Sequence, residues 1–209
     1  GPYNYPLNET FATLIPALIM GNTTILKPAK YGVLLLAPLL QAFKECFPSG
    51  VVNVLYGRGS VLADSLMRTG EIDVLAFIGS ANVANLLKKA HPEPNRLRSV
   101  LGLEAKNPGI ILPECDIDNA VNECLLGSLS YNGQRCTALK SLYVSDFIYD
   151  EFVEKLTAGA SAMVVDNALK DGTQIGPVVS QTQLDENLAW VERAKTEGGD
   201  ILCGGERVT

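Results

Sequence analysis

Apolar residues along this chain fall into two kinds of segment. Short runs at 23–26, 51–55, 74–78 and 99–103 are almost continuously apolar or β-branched, which predicts strands. Longer segments at 9–20, 34–47, 60–69 and 82–89 space their apolar positions at helical intervals. Proline and glycine punctuate both kinds. Lys27-Pro28 stops the first strand, Pro48-Ser49-Gly50 closes the second helix, and Pro16 is expected to kink the first helix or end it early. His91-Pro92-Glu93-Pro94 is expected to be a surface loop. Short apolar strands alternating with helices predict a parallel sheet with helices on both faces and right-handed crossovers, half of a doubly wound, Rossmann-like domain.

After Lys106 the alternation restarts. Strands are predicted at 109–112 and 141–144, helices at 117–130, 150–164 and 183–196, and a polar loop at 166–175; Ile201-Leu202 is expected to begin a further strand. A domain boundary is placed at 104–107, giving an α/β chain with domains at 1–105 and 106–209. No internal repeat or low-complexity segment interrupts it.

Composition narrows the classes. With 47% apolar and 19% charged residues the chain can bury a core and is not a disordered segment. A net charge of −6 gives no footprint for nucleic acid, and no apolar run approaches the ~18–20 residues of a membrane span. No signal peptide is visible at the start, and the lack of an initiator methionine suggests an excerpt. Cys46, Cys115, Cys124, Cys136 and Cys203 are odd in number and widely spaced, without a C-x-x-C pair. That pattern points to reduced thiols in the cytoplasm, and neither a disulfide framework nor a metal site is expected. The single histidine, His91, leaves no multi-histidine site.

The segment Tyr131-Asn132-Gly133-Gln134-Arg135-Cys136-Thr137-Ala138 carries the candidate chemistry. It sets one cysteine between a glycine bend and small residues, beside a cation, where a thiolate is favoured and the sulfur is accessible. The plain alternative is a loop cysteine. The other cysteines lie in helix-like or strand-flanking apolar contexts, where burial is usual. Gly57-Arg58-Gly59 after a strand is a partial dinucleotide fingerprint. Gly79-Ser80 stands where a strand ends and a helix begins, so its N–H groups could meet a pyrophosphate or simply be capped by the serine.

Gly-Gln-Arg-Cys-Thr-Ala at 133–138 resembles the nucleophile segment of the aldehyde dehydrogenase superfamily. Further matches keep the family's order across nearly the whole chain. They are Pro2-Tyr3-Asn4-Tyr5-Pro6-Leu7, Pro16-Ala17-Leu18 with Gly21-Asn22, Leu26-Lys27-Pro28-Ala29, Phe77-Ile78-Gly79-Ser80 and Lys106-Asn107-Pro108. Asn4-Tyr5-Pro6 with Gln134-Arg135-Cys136 is most similar to the non-phosphorylating glyceraldehyde-3-phosphate dehydrogenases. The resemblance implies part of a cofactor-binding domain over 1–105 and part of a catalytic domain over 106–209, from a longer, homo-oligomeric parent.

The resemblance also implies roles. Cys136 would be the nucleophile and Asn4 an oxyanion donor, where otherwise Asn4 is a turn residue. Lys27, Gly57, Gly79 and Ser80 would meet the cofactor. Relatives that prefer NAD commonly carry a glutamate where this chain has Lys30, so a cation there implies NADP, with NAD still possible; the alternative is a solvated lysine. Tyr5 and Arg135 would hold a substrate phosphate, although Arg135 could instead tune the thiol or pair with an acid. The general base departs from the pattern. The usual Glu-Leu-Gly-Gly-Lys becomes Gly102-Leu103-Glu104-Ala105-Lys106, which puts Gly102 at the expected position and Glu104 two residues later. The activity implied is NADP-dependent oxidation of glyceraldehyde 3-phosphate to 3-phosphoglycerate, through a thiohemiacetal and thioester on Cys136. Transfer of the acyl group to coenzyme A or phosphate, or a non-catalytic fragment, remain the alternatives.

Overall fold

The strand–helix alternation is realised in a computed structural model that describes residues 1–208. The chain divides into two units, Gly1–Glu104 and Ala105–Thr209, each an α/β arrangement with parallel strand pairing.

The first unit begins with α1 (Asn8–Ile19). Pro16 sits inside it, and the helix continues past it to a well-formed stop. Gly21, at φ 77°, donates to Leu18 O, and the Asn22 N–H donates to Ala17 O. These paired bonds satisfy carbonyls the helix cannot, and the left-handed turn they need favours glycine. Strands β1 (Thr24–Leu26) and β2 (Val52–Val54) pair in parallel. The helix expected at 34–47 is instead a 3-10 segment, Val33–Leu39, leading into α2 (Leu40–Cys46). Pro38 is the reason: it lacks the N–H that an α-helix needs and its ring crowds the preceding turn.

Next come α3 (Gly59–Arg68), β3 (Val74–Gly79), α4 (Ala81–Ala90) and β4 (Arg98–Leu103). Strands β3 and β4 are parallel and in full register, from Val74 beside Arg98 to Gly79 beside Leu103. The stretch 91–94 is an irregular loop, exposed at Pro92, Glu93 and Pro94, but the His91 side chain turns inward. It is 4% exposed, with Nε2 3.1 Å from Ile72 O and Nδ1 accepting from the Glu93 N–H at 3.0 Å. The prolines around it shape a turn that tucks the imidazole against the strand entry, where backbone groups satisfy both nitrogens.

The second unit runs β5 (Asn107–Ile111), α5 (Ile117–Leu129), β6 (Leu139–Val144), α6 (Tyr149–Ser161) and α7 (Gln181–Thr196). Asp116 caps α5 by accepting from the Asn119 N–H, and Ser180 caps α7 by accepting from the Gln183 N–H. The core joins Ile111, Val121, Cys124 and Phe152, with Leu139, Leu142 and Leu156 packed around them. Gly127 lets α5 lie close to β6, because a Cβ there would stand 2.9 Å from Leu139 Cδ1. Residues 201–202 form no strand, and Leu202 is exposed.

Among the described residues the strands pair two by two, β1–β2, β3–β4 and β5–β6, all parallel as expected; the sheet expected for the first half is present as two separate pairs. Apolar strand residues such as Val100, Ile110 and Tyr143 are accordingly exposed.

Phe152 is 0% exposed and has the largest fully buried side chain. Phe152→Ala is expected to lower unfolding free energy by about 3–5 kcal/mol, through lost transfer energy and the cavity left behind. Chemical denaturation of the wild type and variant measures it.

Candidate active site

The nucleophile segment is built on a backbone that few residues adopt. After α5 the chain passes through Tyr131 (φ 56°), Asn132 (φ 57°) and Gly133 (φ 67°), three successive left-handed residues. For residues with a Cβ this is uncommon, and asparagine tolerates it better than most. The bend is held from outside. Asn132 donates from Nδ2 to Pro177 O at 3.0 Å and accepts at Oδ1 from the Gly176 N–H at 2.9 Å. Gln134 Oε1 accepts from the Val179 N–H at 3.0 Å. One amide thus reads both a donor and an acceptor of segment 176–179, and a second adds a further bond.

Cys136 comes next, exposed. The carbonyls around it are tied down by two side chains. Asn107 Nδ2 donates to Cys136 O at 2.6 Å and to Ala138 O at 3.0 Å. Lys140 Nζ donates to Arg135 O at 3.0 Å and to Ala138 O at 2.8 Å. Both residues stand at the same irregularity of the β5–β6 ladder: Asn107 faces Leu139 and Pro108 faces Ser141, so Lys140 is an extra residue on β6. Desolvation first, then Lys106 and Arg135, hold the Lys140 ammonium below the ordinary lysine pKa, and the Cys136 sulfur acts in the opposite direction.

Arg135 turns toward α5. Its Nη2 donates to Gly127 O at 2.9 Å and to Leu126 O at 3.3 Å, carbonyls of the last helical turn, of which Leu126 O also accepts from the Ser130 N–H. Ser130 Oγ also donates to Leu126 O. The guanidinium lies 5.8 Å from the Tyr131 ring centre. Arg135 is thus a helix C-terminal cap as well as a neighbour of the thiol.

The remaining cysteines divide. Cys124 is buried among apolar side chains, and that burial, ahead of Cys115 and Glu123, pushes its thiol pKa up, toward inertness. Cys46 and Cys203, expected to be buried, are exposed. Cys46 is the last residue of α2 and Cys203 lies in the irregular segment after α7, so neither has an apolar layer over it.

In the first unit the expected cofactor residues lie at the carboxyl ends of the strands. Lys27 comes directly after β1 and donates from Nζ to Pro28 O at 2.9 Å; a Cβ on Gly59, at the start of α3, would meet Lys27 Nζ at 3.7 Å. Gly57 precedes that helix and is exposed. Lys30 is exposed beside Tyr31, with Nζ 5.0 Å from the ring centre and 3.5 Å from its hydroxyl. Asn4 and Tyr5 lie, half-buried, in the turn before α1.

Gly79 and Ser80 lead into α4, and Ser80 Oγ accepts from the Val83 N–H at 3.3 Å. Glu104 arrives at the same place. Because β3 and β4 end level, the residue after Leu103 lies beside the start of α4. Glu104 Oε2 accepts from the Ala81 N–H at 2.7 Å, an anion seated on a helix N-terminus.

Sequence reasoning had given no role to Asn107, Asn132, Gln134 or Lys140. Two signals pointed toward them. Pro108 inside a strand marks a bulge, and Asn132-Gly133 marks a left-handed bend.

The Asn132 clamp is testable. Asn132→Gly keeps the left-handed backbone accessible and deletes both side-chain bonds to the segment at 176–179. Faster amide hydrogen exchange at Gly176 is expected, by about tenfold for a lost bond of roughly 1–1.5 kcal/mol. Exchange in α6 should be unchanged, as read by mass spectrometry.

The family model named "Aldehyde dehydrogenase family" matches residues 1–209. Human aldehyde dehydrogenase 1A1 is 37% identical over 205 residues, covering 98% of this chain and 41% of that relative. The alpha-ketoglutaric semialdehyde dehydrogenase of Bacillus subtilis is 32% identical over 208 residues, covering 99% and 42%. Among solved structures, HpcC from Thermus thermophilus superposes with a TM-score of 0.94 at 31% identity, over 100% of this chain and 40% of that one. Glyceraldehyde-3-phosphate dehydrogenase GapN from Methanocaldococcus jannaschii, complexed with NADP, superposes with a TM-score of 0.91 at 32% identity, over 100% and 46%. The chain spans about two-fifths of the length of the curated relatives it matches. With an exposed cysteine on a braced loop and a match that runs through every residue, the chain belongs to the aldehyde dehydrogenase family.

Proposed function

We propose that the protein carrying this chain oxidises glyceraldehyde 3-phosphate to 3-phosphoglycerate with NADP, using Cys136 as the nucleophile. The observation that carries the reading is Cys136 itself, exposed on a loop whose carbonyls are fixed by Asn107 and Lys140. A structurally similar protein is named glyceraldehyde-3-phosphate dehydrogenase GapN and is complexed with NADP.

An aldehyde gives up its hydride once a nucleophile has added to its carbonyl. The Cys136 thiolate attacks the carbonyl carbon, and the oxygen becomes an oxyanion held by the Cys136 N–H and the Asn4 amide. Loss of hydride converts this thiohemiacetal into a thioester; a bound nicotinamide is the hydride acceptor. Water then attacks the thioester, a base takes its proton, and Cys136 leaves as thiolate.

The residues present fit a dinucleotide. The start of α4 already holds a carboxylate oxygen on the Ala81 N–H, and a phosphate oxygen offers the same acceptor chemistry. Gly57, Gly79 and Ser80 would meet the cofactor there and at the start of α3. Lys27 would meet a ribose, and Lys30 the 2′-phosphate that distinguishes NADP. Tyr5 and the part of Arg135 not committed to α5 would meet the substrate phosphate.

Glu104 is the proposed base, and its seat defines when it acts. While it accepts from Ala81, its Oε2 is committed to the helix start. A phosphate taking that N–H would release the carboxylate for the hydrolytic step.

That engagement of Glu104 is also the observation favouring a second reading, in which coenzyme A or inorganic phosphate takes the acyl group from Cys136 in place of water. Product analysis separates the two. Acid formed without either acceptor supports hydrolysis, and an absolute requirement for one of them supports acyl transfer.

Cys136→Ala is expected to abolish reduced-nicotinamide absorbance on mixing the intact protein with NADP and glyceraldehyde 3-phosphate. Persistence of the signal would remove Cys136 from the mechanism. Lys30→Glu is expected to lower kcat/KM for NADP relative to NAD by about tenfold or more, the loss of one charge-assisted bond. Steady-state kinetics with each cofactor measures the ratio.

A further inference from the structure

We propose that Lys140 is a positioning residue that aims the Cys136 N–H, acting through the carbonyl of Arg135. The inference deepens the proposed function and rests on it, since it presumes that an oxyanion forms beside Cys136.

The strand ladder places this lysine. Pro108 has no N–H for a β-ladder, and opposite the Asn107–Pro108 step β6 carries one more residue than β5 does. A bulge re-aims the side chain of its extra residue. Lys140 is that residue, and its ammonium reaches back over the preceding loop. There it donates to Arg135 O at 3.0 Å and to Ala138 O at 2.8 Å, the carbonyls on either side of the nucleophile. The Ala138 N–H also donates to Arg135 O, at 3.3 Å, closing a tight turn around Cys136 and Thr137.

The carbonyl of Arg135 and the N–H of Cys136 belong to one peptide group. No peptide bond in the described chain is cis, so the two point in opposite directions within one plane. Anchoring the oxygen therefore fixes the direction of the hydrogen. A cation on the oxygen also draws electron density through the amide, which makes the N–H a stronger donor. Asn107 does the equivalent at the next peptide, where its bond to Cys136 O fixes the Thr137 N–H. Lys140 differs in bringing a positive charge to the peptide that carries the N–H of the nucleophile itself.

The charged groups around the ammonium are Lys106, Arg135 and Cys136. Lys106 and Arg135 repel it and the Cys136 sulfur attracts it, while the two carbonyl bonds seat it over the loop.

Such a residue acts on the step in which an oxyanion forms. Because its charge also favours the Cys136 thiolate, alkylation is compared at its pH-independent limit, where the thiol is fully ionised in both proteins. Two rates on the intact protein separate the two effects. The first is the pre-steady-state burst of hydride transfer, with the aldehyde and cofactor the wild type turns over. The second is alkylation of Cys136 by iodoacetamide, in which no oxyanion forms. In Lys140→Met the burst is expected to slow by about tenfold or more, part of the roughly hundredfold lost when an oxyanion donor is removed outright, while alkylation stays within about threefold. A burst at the wild-type rate overturns the proposal, and so does an equal fall in both rates, which would mean the loop had collapsed. If Lys140→Met does not fold, Lys140→Gln removes the charge, keeps an amide donor, and is judged by the same criteria. Cys136→Ala alongside keeps the two readings apart. A burst surviving in it removes the nucleophile and this proposal together; a burst lost in it but intact in Lys140→Met removes only the role of Lys140.

Discussion

Pro108 has no amide hydrogen to give to the β5–β6 ladder, and the geometry around the candidate nucleophile stems from the adjustment made for it. Strand β6 carries an extra residue opposite the Asn107–Pro108 step. The extra residue is a lysine whose ammonium folds back onto the preceding loop, and the residue before the proline is an asparagine whose amide reaches the same loop from β5. Both converge on Ala138 O, whose two lone pairs they use. Neither side chain is long-range in character; each is placed within a few ångströms by a local fault in a parallel pair.

The Cys136 loop is therefore braced by the fold on three sides. The core of Ile111, Val121, Cys124 and Phe152 fixes where α5 lies against β5 and β6. Arg135, just before the cysteine, caps the last turn of α5, so the helix end and the loop move as one. Asn132 and Gln134 then bind backbone of segment 176–179, far along the chain. A nucleophile must be exposed to meet substrate and still held to a fraction of an ångström. Here exposure comes from the left-handed bend, and fixity from hydrogen bonds to carbonyls behind the sulfur.

In the first unit the controlling fact is the level ending of two parallel strands. Gly79 and Leu103 are register partners, so the residues just beyond them must share the space above the sheet edge. Beyond Gly79 stands a helix start with N–H groups to satisfy, and beyond Leu103, one peptide on, stands a carboxylate. Electrostatics joins them: the positive end of α4 takes the negative Glu104. The arrangement seats this glutamate at the helix start proposed for the dinucleotide phosphate.

Much of this was legible in the residues. Alternating apolar runs and helical periods gave the α/β class and nearly every element, because they depend on local spacing alone. The bend before Cys136 was visible in Asn132-Gly133. Local pattern could not supply the partner of each polar group. His91, ahead of Pro92 and Pro94, looked like an exposed loop residue, yet the turn folds its ring into a buried site where Ile72 O and the Glu93 N–H receive it. Arg135 looked like a cation for substrate or sulfur, yet its nearest acceptors are helix carbonyls. Lys140 drew no notice, because it falls just outside the strand expected at 141–144, whereas β6 begins at Leu139. The sequence by itself determined which segments are strands and helices and where a reactive thiol could stand. Tertiary structure alone decided which carbonyls and amides meet the side chains around it, because hydrogen-bond partners are set by register and proximity in space, quantities that no spacing along the chain encodes.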